Sequence, residues 1–94
     1  MAAYVVFTRE QTLDPQALAT YAQAPDKLTG HPVTVRVGYG EFEMLEGAPI
    51  EGAVILEFPD MDAARAWYHG DAYQAIARHR FRGARYRAFI VQGT

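Results

Sequence analysis

The sequence predicts an α+β domain in which a four-stranded antiparallel sheet carries helices on one face. Three observations lead there. Four short runs are rich in aromatic and β-branched residues, two helical stretches open at Asp14-Pro15 and Pro59-Asp60, and the two kinds of segment are interleaved along 94 residues. That length suits one domain, spanning 1–94, and is too short for two.

The first strand is Ala3 to Thr8. Asp14 then serves as an N-cap with Pro15 at the first helical position. Leu18, Tyr21, Ala22 and Leu28 form an apolar stripe at helical spacing, and Pro25, which has no N–H, is expected to kink or divide the helix. Gly30 followed by Pro32 stops it. Val33 to Val37 is the second strand, expected to run on raggedly through Gly38-Tyr39-Gly40 toward Met44, with a bulge at the glycines. After the loop Glu46-Gly47-Ala48-Pro49, Ala53 to Phe58 is the third strand. Asp60 caps a second helical region, which Gly70 interrupts. Asp71 and Gln74 have the spacing of a capping box, so the second piece is expected to start there and run to about Arg82, with Tyr73, Ile76, Ala77 and Arg80 on one face. Gly83 ends it, and Tyr86 to Val91 is the fourth strand. The order is β-α-β-β-α-β, the ferredoxin-like arrangement. Right-handed crossovers in it put both helical regions on the same side of the sheet.

Composition removes several function classes. There is no cysteine, which points to a reducing, cytoplasmic setting and rules out thiol catalysis, thiolate zinc sites and iron–sulfur ligation. The apolar start ends at Thr8-Arg9-Glu10, too soon for a secretory leader, and no run approaches the roughly 20 apolar residues of a membrane-spanning helix. A net charge of −2 argues against nucleic acid as a partner. The charge is unevenly spread: residues 1–60 hold three basic and nine acidic side chains, residues 61–94 six and two. Five arginines, Arg78, Arg80, Arg82, Arg85 and Arg87, crowd the end. Arg78 and Arg82 fall on the solvent side of their helix, whereas Arg80 lies at the inward edge.

A sheet covered on one side should alternate apolar and polar residues. Tyr4-Val5-Val6-Phe7, Val54-Ile55-Leu56 and Phe89-Ile90-Val91 instead put large apolar side chains on both faces. Each one left in water forgoes on the order of 1.5–3 kcal/mol of burial, and several together make a patch larger than monomers usually expose. A homodimer formed by packing sheet on sheet, with a self-complementary two-fold interface, is the expected solution.

Glu57-Phe58-Pro59, Ala64, Trp67-Tyr68-His69 and Tyr73-Gln74, with Leu45-Glu46-Gly47 and Gln92-Gly93 at their flanks, resemble the pattern of domain-of-unknown-function family 1330. The likeness spans nearly the whole chain and departs at Gly70 and Ala72, where the family tends to carry Ser and Glu. It implies the dimeric α/β-barrel superfamily, whose members include cofactor-free monooxygenases, lactone isomerases, polyketide cyclases and haem-binding enzymes. A shared fold does not fix the chemistry.

The densest cluster of chemically able residues is Trp67, Tyr68, His69 and Tyr73, at the break in the second helical region. Aromatic walls with a few directed hydrogen bonds suit a small organic ligand, and His69 is the histidine best placed to move a proton. Arg36 and Glu57 are charges within apolar strands. Inside a pocket, Arg36 would stabilise a carboxylate or enolate and Glu57 would act as a base. Arg80 would close the mouth of such a pocket. His31 and His79 are expected in solvent. No histidine pair has metal-ligand spacing, there is neither a dinucleotide fingerprint nor a phosphate loop, and the chain has no serine for a nucleophile elbow. Neither a metal nor a cofactor is expected. Two readings of function follow: a cofactor-free isomerase, cyclase or monooxygenase acting on a small organic compound, or a non-catalytic dimer that binds a small ligand or a protein.

Overall fold

The computed structural model describes all residues, 1–94. Its elements are β1 (Ala3–Thr12), α1 (Pro15–Gln23), β2 (Thr34–Gly38), β3 (Gly52–Phe58), α2 (Met61–His69), α3 (Asp71–Gly83) and β4 (Ala84–Gln92). The strands form one antiparallel sheet in the order β2-β3-β1-β4, which is the ferredoxin-like order. No helix is long and apolar enough to cross a membrane.

Strand parity separates the two faces. Ala3, Val5 and Phe7 of β1 and Leu56 and Phe58 of β3 are buried beneath the helices, where they meet Ala64, Trp67, Tyr73 and Ala77. The residues between them, Tyr4 and Val6 on β1 with Ile55 and Glu57 on β3, belong to the opposite, open face. β1 runs four residues beyond its expected end, as Arg9, and beyond a bulge at Glu10 also Gln11 and Thr12, continue to pair with β4.

Asp14 caps α1, its carboxylate accepting from the backbone N–H groups of Gln16 and Ala17. Pro25 does not kink the helix; α1 has already ended at Gln23, and Leu28 reaches the core from the loop that follows. Lys27 closes this end, with its ammonium donating to the carbonyls of Tyr21, Ala22 and Ala24 at 2.9, 2.9 and 3.2 Å. Asp60 caps α2 through Ala63 N. The expected capping box at Asp71 does not form. Gly70 is the N-cap of α3, Asp71 makes no cap bond, and the Gln74 amide donates to the Tyr68 carbonyl across the break. Gly83 lets α3 approach α1 closely, because a Cβ there would lie 2.6 Å from the backbone nitrogen of Leu18.

β2 stops at Gly38 and does not continue to Met44. Tyr39 takes a left-handed conformation, φ 57°, which turns the chain out of the sheet after its N–H has bonded to the Ala53 carbonyl. Residues 39–49 are exposed throughout.

Candidate functional site

A cavity of about 370 Å³ lies between the sheet and α1, with α2 and α3 at its inner end. Its apolar walls come from inward positions of the strands (Phe7, Val35, Val54, Leu56) and from Leu18 and Leu28. Trp67 closes the floor. Its ring lies 4.2 Å from that of Tyr73 and meets Phe7 edge-on at 6.3 Å, and its indole N–H donates to the Lys27 carbonyl at 2.8 Å. The polar lining consists of three cations, Arg9, Lys27 and Arg80, and three phenols, Tyr21, Tyr39 and Tyr86; no Asp, Glu or His takes part.

These polar groups fall into two sets. At the inner end, Arg80 Nε donates to the Tyr73 hydroxyl at 3.3 Å, and that hydroxyl is 2.7 Å from the hydroxyl of Tyr21. At the outer end, the Tyr39 and Tyr86 hydroxyls bond to each other and the Arg9 guanidinium lies 4.9 Å over the Tyr39 ring. Tyr39 reaches this place because position 52 is glycine, where a Cβ would come within 2.6 Å of its ring. Arg9 Nε is 3.1 Å from the Glu51 carboxylate but is not aligned to hydrogen-bond it, so the pair is an ionic contact alone.

The residues expected to form the site are divided by this geometry. Trp67 and Arg80 border the cavity, and Tyr73 stands directly behind it. Tyr68 packs on Trp67 and Tyr73 but, with His69, borders a separate depression of about 210 Å³ beside β4. His69 is exposed there at the end of α2, its ring edge-on to Tyr68. Arg36 and Glu57 are not in a pocket. They are paired at 2.8 Å, and Glu57 shares its strand face with Ile55, on the side of the sheet away from the cavity. Arg36 alternates with Val35, which lines the cavity, and so falls on that side; the bulge between Val35 and Val37 then brings Val37 to the same side. His31 and His79, expected in solvent, are half-buried and outside the cavity lining. No group of three or more His, Asp or Glu side chains is gathered to hold a metal.

The family model described as Domain of unknown function (DUF1330) matches residues 2–94. The chain belongs to the DUF1330 family. It is similar to the crystal structure of a protein of unknown function from Rhodopseudomonas palustris, with a TM-score of 0.70 and 17% identity over 99% of this chain and 82% of that one. That likeness extends to the fold. No curated protein matches the chain.

In this DUF1330 chain the charge of the inner set is unusual. Arg80 is 3% exposed and is the only charged residue buried to that degree. The ion pairs of the molecule are Arg9–Glu51, Arg36–Glu57, Arg65–Asp62 and Arg87–Glu10, and none involves Arg80. Its guanidinium instead stacks on Phe7, Phe81 and Tyr86 at 4.9, 4.9 and 5.0 Å. Such contacts are worth about 0.5–2 kcal/mol each, whereas burying an ion costs several kcal/mol. Burial alone would lower the Arg80 pKa, but the neighbouring Tyr73, whose hydroxyl accepts from Nε, acts the other way and the pKa stands above its ordinary value, so the group is cationic. Burial raises the phenols of Tyr21 and Tyr73 above their ordinary range, and they are neutral at physiological pH. Burial likewise raises Tyr86, helped by its bond to Tyr39.

Sequence reasoning missed Arg9, Tyr21, Lys27, Tyr39 and Tyr86 as lining residues. A signal was present for three of them: Tyr21 stands in the apolar stripe with Leu18, Ala22 and Leu28, all of which line the cavity. Arg9 continues the inward parity of Ala3, Val5 and Phe7, and Tyr86 is its partner across β4. Tyr39 carried none, since its place depends on the left-handed turn.

Proposed function

We propose that this DUF1330 protein binds a small, largely apolar organic compound in the cavity under α1. The observation that carries the reading is the cavity itself: about 370 Å³, walled by aliphatic and aromatic side chains, with a few polar groups converging at its two ends. Proton abstraction would need a base, and no His, Asp or Glu lines the space; of the other groups able to serve, Lys27 is tied as an ammonium to three carbonyls, and burial raises the phenols of Tyr21 and Tyr86 and keeps them protonated. Of the two classes foreseen, ligand binding is therefore favoured over a cofactor-free isomerase, cyclase or monooxygenase. His69, Arg36 and Glu57 take no part in this reading. Trp67 and Arg80 contact the ligand, and Tyr73 positions Arg80.

The test uses the single tryptophan. Its indole N–H gives one nuclear magnetic resonance signal at the cavity floor. A neutral bicyclic probe, 2-naphthol, should shift that signal saturably, and Ala22→Phe, which places a ring in the cavity from the exposed side of α1, should abolish the shift. No shift with the native protein, or an undiminished one in the variant, would refute the assignment.

The working unit we propose is a homodimer of the dimeric α/β-barrel type, formed across the open sheet face. Phe89 and Val91, 54% and 46% exposed, stand there beside Val6 and Tyr4. The absence of cysteine supports a cytoplasmic location.

A further inference from the structure

We infer that the ligand of this cavity is an organic monoanion, a carboxylate or enolate on an apolar body, whose charged oxygen pairs with Arg80 and Tyr21. The inference rests on the binding reading above and adds the chemical class of the compound.

Each of the three cavity cations can be asked whether its charge is already answered. Arg9 has the Glu51 carboxylate at 3.1 Å. Lys27 has the three carbonyls at the end of α1. Arg80 has neither: it is the most buried of the three, its one hydrogen bond uses Nε, and its two terminal nitrogens donate to no protein acceptor. Three ring faces soften the cost of that charge, but a ring does not satisfy five N–H donors.

The direction of the phenol hydrogen bonds points the same way. Tyr73 is 2% exposed and accepts from Arg80, so its own O–H proton needs an acceptor, and the Tyr21 oxygen at 2.7 Å is the one within reach. With that oxygen accepting, the Tyr21 O–H is left to donate into the cavity that Tyr21 lines. The inner end thus offers guanidinium N–H groups and a phenol O–H, all donors, and no acceptor. A neutral amide or alcohol would leave its own donors unmet there, whereas the two oxygens of a carboxylate, or one enolate oxygen, meet donors only. One unanswered cation in an otherwise apolar chamber fits a single negative charge.

Two probes of matched shape test this, 2-naphthoate and 2-naphthamide, titrated against the Trp67 indole signal. The native protein should bind the acid at least tenfold more tightly. Arg80→Met should erase that preference by weakening the acid alone, and Arg80→Lys should restore part of it. Arg78→Met and Arg82→Met, at exposed positions of the same helix, should keep it. The preference should fall only modestly with added salt, since a buried contact is poorly screened. Equal binding of acid and amide by the native protein overturns the anion assignment while leaving the pocket standing. Failure of both probes to shift Trp67 overturns the pocket and the assignment together. Equal losses in all three Met variants also overturn it, in favour of a diffuse basic surface. The native comparison needs no variant, so a poorly folded Arg80→Met protein leaves the test decisive.

Discussion

Tyr73 joins the core to the cavity: its ring stacks on Trp67 and its hydroxyl stands between Arg80 and Tyr21. Tyr73→Phe keeps the ring and removes only the oxygen, so Arg80 Nε loses its acceptor and the Tyr21 oxygen its donor. A cost of about 1–3 kcal/mol is expected, read as a lower denaturant midpoint at unchanged m-value. The same buried phenols give the protein an alkaline weakness. Tyr21, Tyr73 and Tyr86 have pKa values raised above the ordinary 10.0 by burial first of all. Below about pH 10 they are protonated in both folded and unfolded chains, and their contribution is fully present. Above it the unfolded chain releases protons that the folded chain holds, so stability falls as pH rises. Phenolate absorbance should therefore show a class of tyrosines that ionises only together with the loss of circular dichroism; smooth titration of every tyrosine in folded protein would contradict this. At this scale the sequence was partly legible. Tyr73 and Arg80 were recognisable because helical spacing set them on one inward face of α3, and Trp67 because it stands in the aromatic cluster at the break before that helix. Arg36 and Glu57 misled because charges in apolar strands suggest a pocket, and their pairing follows from the register of β2 against β3, which spacing within one strand does not reveal.

The helices differ in how they begin, and the difference is measurable. Asp14 and Asp60 accept backbone N–H groups at the starts of α1 and α2, whereas Asp71, inside α3, accepts none. Asp14→Ala and Asp60→Ala should each cost about 1 kcal/mol. Asp71→Ala should cost less, since it removes only a charge near the helix dipole, worth about 0.3–1 kcal/mol. Chemical denaturation of the three variants in parallel checks the order, and Asp71→Ala proving the most damaging would mean that the capping box forms after all. The misreading has a physical origin. Gly70 adopts an extended conformation, φ −68° and ψ 150°, and itself takes the cap position, moving Asp71 one place into the helix. Strand extents were misread for a related reason. Arg9, Gln11 and Thr12 look polar yet pair along β4, while the apolar residues beyond Gly38 look strand-like yet leave the sheet at Tyr39. Hydrophobic pattern reports burial, and at the ends of β1 and β2 burial and pairing part company.

On the scale of the whole molecule, the open face of the sheet has the anatomy of an interface. Across its middle run Phe89, Val6, Ile55 and Val37, one from each strand, in the registers Val6↔Phe89, Val6↔Ile55 and Val37↔Ile55. Charged pairs flank this row, Arg36–Glu57 on one side and Arg87–Glu10 on the other. An apolar centre with a polar rim suits a self-complementary two-fold contact, in which the row of one copy crosses that of the next. The helices occupy the opposite face, so nothing in the protomer shields these side chains from water. Association should therefore be stable at micromolar concentration, giving a particle of twice the 10.5 kDa protomer mass by sedimentation. Phe89→Lys places a charge at the centre of that row, in a side chain 54% exposed in the protomer, so the fold should tolerate it. The variant should sediment as a monomer with native circular dichroism and an unchanged response of Trp67 to 2-naphthol, because the cavity lies on the other side of the sheet. A native protein that remains monomeric would end the dimer proposal. A Phe89→Lys protein that remains dimeric would move the interface elsewhere, with the exposed apolar side chains of Phe42 and Leu45 in the loop between β2 and β3 as the next surface to test.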